Sequence, residues 1–411
     1  MSINGKKINV SGLFVVALII CLALENFRLF TFLGASIKPI HLIALLSAIY
    51  FAFFRGVSVK KMVGVIAFLA IPLLPFYRIN DQLEFIKTYA IYTIMVLFMV
   101  FAFPYLKDEF KEGSKAYLKL FNFVMAVLAV LGIAQFITMN FFGFDFLKGI
   151  FGPFLAVAQA TDSQGSGFER AISLFSEPSY FGWVLDIALA VNLVLLKKEK
   201  TPKRILLIAT IFVAIICTMS SSAFWITAVI IVAYLISIKK INVNTVFIAI
   251  AAVLVIIFVV AVVDLSFLTN SMSRIFKEIG TEGTSGNGRF VYPFEYTKAV
   301  LSEFPLFGRG IGQEGDVDII GRLVGTKNVH NSIFNVVATF GLTSAFYIVW
   351  FIKQFFGSRY TKESRSDRIL IFLSIFFMYL TTGAFMAFDT FVFTIVAILF
   401  LANMGVNQLN E

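Results

Sequence analysis

The sequence is poor in charge and in cysteine, and each shortage closes off a class of protein. Only 14% of its 411 residues are charged, too few to solvate the surface of a soluble domain of this length. The two cysteines, Cys21 and Cys217, lie inside apolar runs; they exclude a disulfide framework and read as small packing residues. There are two histidines and no Cys/His metal spacing, no Gly-rich phosphate loop and no solenoid repeat, so neither a metal nor a cofactor is expected. Three tryptophans against 50 phenylalanines put the aromatic bulk inside helices rather than in interfacial belts.

What is present is apolar: 59% of the residues are hydrophobic and the mean hydropathy is +0.90, so the solvent is lipid. A hydrocarbon core about 30 Å thick takes roughly 20 helical residues. Apolar windows of that size recur near residues 12–30, 39–54, 62–77, 86–106, 118–142, 176–196, 204–219, 221–238, 243–263, 331–352, 369–386 and 388–405. The expectation is an all-α polytopic membrane protein of about twelve transmembrane helices, one transmembrane domain over residues 1–411. Lys6 and Lys7 precede the first window as in a signal peptide, but no small-residue cleavage site follows, so the span is expected to be retained.

The net charge of +10 does not point to nucleic acid, because the basic residues cluster in alternate short loops. One set joins Lys6 and Lys7, Arg55 to Lys61, Lys107 to Lys119, Lys197 to Arg204, Lys239 and Lys240, and Lys353 to Arg368. By the positive-inside rule both termini are then cytoplasmic. Two long loops fall on the opposite side, residues 143–175 and 264–330, and chemistry is expected there. Within the second, Pro293 is placed to open an interfacial helix with Phe294, Thr297, Val300, Leu301 and Phe304 on one face and Glu295, Lys298 and Ser302 opposite. Gly308 to Gly312 then brings backbone close either to a neighbouring helix or to a substrate.

Two constellations carry candidate chemistry. The first is Glu169-Arg170 through Phe175-Ser176-Glu177-Pro178-Ser179, running from a polar loop into a span. Arg170 offers a planar fork of donors suited to a diphosphate, and Glu177 a base or a hold on a sugar hydroxyl. In the plainer reading, Ser176 caps the helix, Pro178 sits in its first turn and Glu177 favours the helix dipole. The second comprises Arg289, Arg309 and His330-Asn331 at the mouth of a later span. An imidazole takes a proton from a sugar hydroxyl near neutral pH, whereas a lone histidine at a helix start is commonly just a satisfied polar residue beside Asn331. The arginines are either solvated loop charges or a charge sink replacing a metal ion. Asp186, Asn192 and Asp389 are polar groups within or beside spans and either serve function or pair helices.

Taken in order, Arg170 to Gly182, Gly288-Arg289, Pro305 to Gly312, His330-Asn331 and Gly341-Leu342 resemble the bacterial O-antigen polymerase and ligase superfamily, over roughly residues 165 to 355. The Glu177-Pro178-Ser179 segment resembles the polymerases; Ser220-Ser221 stands where many members carry Ser-Arg. The resemblance implies a metal-independent, inverting glycosyltransferase of the inner membrane, active on the periplasmic side. It would move a growing glycan from undecaprenyl diphosphate to a lipid-linked acceptor. Arg170, Arg289, Arg309 and Asn331 would bind substrate, His330 or Glu177 would assist deprotonation, and a separate chain-length regulator would be a partner. The competing readings are a ligase to lipid A core, a transporter or flippase of lipid-linked oligosaccharide, and a non-catalytic assembly partner.

Overall fold

The computed structural model describes residues 2–3, 6–7, 9–32, 34–75, 81–156, 168–238, 285–313, 331–356, 362–381 and 394–400. His330, Asp389 and the window 243–263 lie outside them, as does most of 388–405. In chain order the helices are α1 Val10–Cys21, α2 Pro39–Arg55, α3 Val59–Ala70, α4 Gln82–Leu97, α5 Phe103–Glu112, α6 Ser114–Phe142 and α7 Phe146–Phe151. They continue with α8 Pro178–Lys198, α9 Pro202–Thr218, α10 Ser221–Ser237, α11 Ser285–Glu303, α12 Ser332–Phe340, α13 Ser344–Phe356 and α14 Lys362–Thr381. Side-chain oxygens of Asn9, Ser58, Asp81, Asp145 and Thr201 accept from first-turn N–H groups of α1, α3, α4, α7 and α9, while prolines open α2, α8 and α9.

Among the described residues, four helical stretches are long and apolar enough to cross a membrane: Gln82–Glu112, Ser114–Phe142, Pro178–Lys198 and Ser332–Phe356. α6 shows how such a helix divides its surface. Phe121, Met125, Leu128, Gln135 and Met139 are buried, while Phe123, Val127, Val130, Ile137 and Phe141 form an exposed stripe at helical spacing. Unsupported phenylalanine at the surface is what a lipid-facing helix presents.

The chain forms two compact units. The first comprises Met1–Leu120, Glu278–Tyr360 and Tyr379–Glu411. Here α4 and α5 run on through one wide turn, Phe98–Ala102, beside Pro104, whose missing N–H and bulky ring displace the regular bonding. α1 stops at Cys21, short of the expected residue 30. Residues 22–26 form turns in which Glu25 is buried and paired with Lys38 at 3.0 Å, a carboxylate that a lipid-exposed helix would leave unpaired. A hairpin follows, Phe30–Phe32 with Ala35–Ile37, in register Phe30 with Ile37 and Phe32 with Ala35.

The second unit comprises Phe121–Lys277 and Thr361–Met378. At its centre α8 is buried on every side from Pro178 to Val194 except at Tyr180. Two polar side chains in its middle pair with neighbours: Thr227 Oγ1 donates to Asp186 Oδ1 at 2.5 Å, and Asn192 Nδ2 to Asn122 Oδ1 at 3.0 Å. Gly182 packs so tightly on α10 that an added Cβ would collide with Ala223. At the other end, Lys197 pairs with Asp367 at 2.7 Å, and Arg204 closes the helix by donating to the carbonyls of Leu195 and Glu199.

Candidate functional site

In the second unit Arg170 lies on an irregular strap, residues 168–177, that precedes α8. Arg170, Ala171, Ile172, Ser173, Leu174 and Phe175 are all buried, so the backbone of a non-helical segment has to find partners away from water. α6 supplies most of them. Asn140 accepts from Glu169 N–H at 2.7 Å and donates to its carbonyl at 2.9 Å. Gln135, wholly buried, accepts from Ile172 N–H at 3.0 Å and Ser173 N–H at 2.8 Å. Ala171 N–H reaches the Cys217 carbonyl at 2.9 Å, one of the groups freed where α9 ends. Phe168 stacks on Phe136 and Phe175 on Phe181, fixing both ends of the strap.

Glu177, not Ser176, is the N-cap residue of α8, and it is exposed. Its carboxylate makes no capping bond to the backbone; Oε2 accepts from Ser179 Oγ at 3.1 Å. Pro178 in the first helical position accounts for the displacement, since its fixed φ begins the helix there. The carboxylate sits where the helix dipole favours negative charge.

In the first unit, α11 and α12 pack together around Tyr296, Val300 and Ala338. α11 starts at Ser285, eight residues before the proline expected to open it, and Pro293 lies inside it. Thr297 and Val300 of the expected face turn inward with Phe304 packed beside them, joined by Tyr292 and Tyr296, whereas Phe294 is 55% exposed. Pro293 lacks the N–H that the Arg289 carbonyl would use, and Asn331 Nδ2 donates to that carbonyl instead at 3.1 Å. The same amide donates to the Leu380 carbonyl at 2.9 Å, and Oδ1 accepts from Ile333 and Phe334 N–H groups as the N-cap of α12. Both hydrogens and both lone pairs of the amide are thereby used.

The glycine run settles on a neighbouring helix. Arg309 N–H donates to the Ala338 carbonyl and Gly310 N–H to the Thr339 carbonyl; Leu342 and Thr343 N–H groups return bonds to Pro305 and Leu306. Gly308, Gly310 and Gly312 all have positive φ. A Cβ on Gly308 would strike the Ala338 and Thr339 backbone, and one on Gly312 the backbone of Glu84. The run is a wrap around the end of α12, and it holds Arg309 buried with its guanidinium 5.3 Å from the centre of the Phe304 ring. Gln313 ends it, its amide meeting the backbone N–H and carbonyl of Asp81.

Arg289 and Asn331 are therefore in contact and Arg309 lies on the same helix pair, while Arg170 and Glu177 belong to the other unit. Sequence reasoning passed over Gln135, Asn140 and Gln313. For the first two a signal existed, a carboxamide inside an otherwise apolar window.

With this arrangement in view, the comparison with protein families is decisive: the chain matches the WcaD colanic acid polymerase family over residues 10–403. It belongs to that family. No curated protein matches it. As a WcaD-family member it is a polysaccharide repeat-unit polymerase, an enzyme of the glycosyltransferase type acting in a membrane on a lipid-linked oligosaccharide. The four long apolar helices accord with that setting.

Proposed function

We propose that the chain lengthens a bacterial surface polysaccharide at the outer face of the inner membrane, moving the growing glycan from undecaprenyl diphosphate onto a lipid-linked repeat unit. The observation that supports this reading is the family match along nearly the whole chain, from residue 10 to residue 403. In the reaction the acceptor hydroxyl oxygen attacks the anomeric carbon opposite the leaving group, so configuration inverts. The bond from that carbon to the diphosphate breaks and the lipid diphosphate leaves with the electron pair.

Two demands follow: a base for the acceptor proton and positive charge for the departing diphosphate. His330 or Glu177 is the proposed base. Arg170, Arg289 and Arg309 are the proposed charge sink, fulfilling without a metal what a divalent cation does elsewhere. Asn331, with its amide spent on three pieces of backbone, is assigned a positioning role: it fixes the start of α12 next to His330. The wrap around α12 gives Arg309 a rigid base, which a diphosphate contact requires. A separate chain-length regulator is the proposed protein partner.

The test is deletion of the gene in its host and complementation with wild type, His330→Ala or Arg170→Ala, with surface glycan lengths resolved on a gel. Single repeat units on the core in the deletion and in both variants, at normal protein levels, support the reading. Long polymer accumulating on the carrier lipid, with none on the core, makes the protein a ligase; an unchanged ladder overturns the whole scheme.

A further inference from the structure

We infer that Gln135, together with Asn140, is a positioning residue that holds Arg170 in the geometry for gripping the lipid diphosphate; this rests on the role proposed above for Arg170. The strap has no regular secondary structure to fix it, so its shape is set by side chains that reach its backbone. Arg170 lies between two fixed points. Glu169 is held on both its N–H and its carbonyl by the Asn140 carboxamide, and Ala171 by the Cys217 carbonyl. One residue further, the Gln135 oxygen draws the consecutive N–H groups of Ile172 and Ser173 onto a single atom. That convergence accompanies the turn at Ser173, whose φ of 51° is left-handed.

Neither amide is free to rotate. Gln135 Nε2 donates to Asp145 Oδ2 at 3.0 Å, and Asp145 Oδ1 is itself engaged by the Leu147 and Lys148 N–H groups at the start of α7. Asn140 Nδ2 also donates to the Phe136 carbonyl at 2.9 Å. Exchanging oxygen and nitrogen in either side chain would face donor with donor and acceptor with acceptor. α6 and α7 thus act through a hydrogen-bonded chain, from Asp145 to Gln135 to the strap, on a guanidinium that neither helix carries. Groups supporting a ligand contact in this way govern affinity nearly as strongly as the contact itself.

The experiment measures binding of undecaprenyl diphosphate to the full-length protein in lipid nanodiscs. Arg170→Ala is expected to weaken binding at least about tenfold, and Gln135→Met, which keeps volume and loses the fork, about tenfold. In the Arg170→Ala background Gln135→Met should add less than about twofold, since its effect runs through the missing guanidinium. Asn140→Leu, on the other side of Arg170, should repeat the pattern and supplies the test if Gln135→Met does not fold. Wild-type affinity in the folded Gln135 or Asn140 variants, or losses that multiply fully with Arg170→Ala, overturns the inference. Wild-type affinity in Arg170→Ala instead removes the diphosphate role of Arg170 on which the inference stands. Faster hydrogen exchange over residues 168–175 in Gln135→Met, with an unchanged unfolding midpoint, would locate the effect in the strap.

Discussion

Asn331 completes a hydrogen bond that Pro293 makes impossible within α11: its amide donates to the Arg289 carbonyl, which the proline leaves without a helical partner. Tyr92 does the same near the end of α3. Pro72 has no N–H for the Phe68 carbonyl, and Tyr92 Oη donates to it at 2.8 Å. That bond uses the only proton of Tyr92, so in the 2.5 Å contact between Tyr92 and Tyr347 the donor is Tyr347. In both places a proline inside a helical run is tolerated because another helix supplies the missing donor.

Replacing Asn331 with leucine removes a cap and takes the side-chain donor from two part-buried carbonyls, so a loss of about 2 kcal/mol is expected. Pro293→Ala returns an N–H to Arg289, and in that background the Asn331→Leu loss should shrink by about 1 kcal/mol. Unfolding midpoints of the four proteins in detergent check this. Equal losses in both backgrounds would break the link between the two residues.

Gly308 and Gly143 both have positive φ, yet only Gly308 has backbone where a Cβ would go. Alanine at either position costs about 1 kcal/mol for the left-handed conformation. At Gly308 the wrap must also lift off α12, carrying Arg309 with it. Gly308→Ala should therefore lower both stability and polymer length, while Gly143→Ala keeps polymer at wild-type length on the same gel.

Gly132 makes room on α6 for the Phe181 ring, which a Cβ would strike. Gly132→Ala is expected to cost about 1–3 kcal/mol by overpacking, and Phe181→Leu in the same chain to restore part of it. No recovery in the unfolding midpoint of the double variant would place the strain elsewhere.

Asp186 and Thr227 bind α8 to α10 through one hydrogen bond. Thr227→Val leaves the carboxyl without that donor, at an expected cost of about 1–3 kcal/mol. Asp186→Asn keeps an acceptor for Thr227 and should stay within about 1 kcal/mol of wild type, with polymer still made. A folded Asp186→Asn that makes no polymer would show that the carboxyl has work beyond pairing helices.

How far the sequence could be read followed from which force dominates at each point. Hydropathy located α6, α8, α9 and α10 to within about four residues. The polar residues Asp186 and Asn192 inside α8 pointed correctly to an inward-facing helix. It failed where a distant partner overrides local preference. Pro293 signals a helix start, and nothing near it in sequence reveals that Asn331 rescues the interior position. Likewise Glu25 ends the first helix early because Lys38 waits beyond the hairpin. The alternating glycines left two partners open, helix or substrate, and only the backbone contacts to Ala338 and Thr339 choose between them. Gln135 and Asn140 drew no reading from the sequence, because the strap whose backbone they bond is visible only in the fold.

The central position of α8 also bears on how the protein is made. A helix covered by protein on every side has no face adapted to lipid, and this one carries an aspartate and an asparagine at membrane depth. Its asparagine finds a partner already synthesised, since Asn122 precedes it by 70 residues. Its aspartate does not: Thr227 emerges from the ribosome only 41 residues later. Until α10 arrives, α8 is a poor lodger in the bilayer.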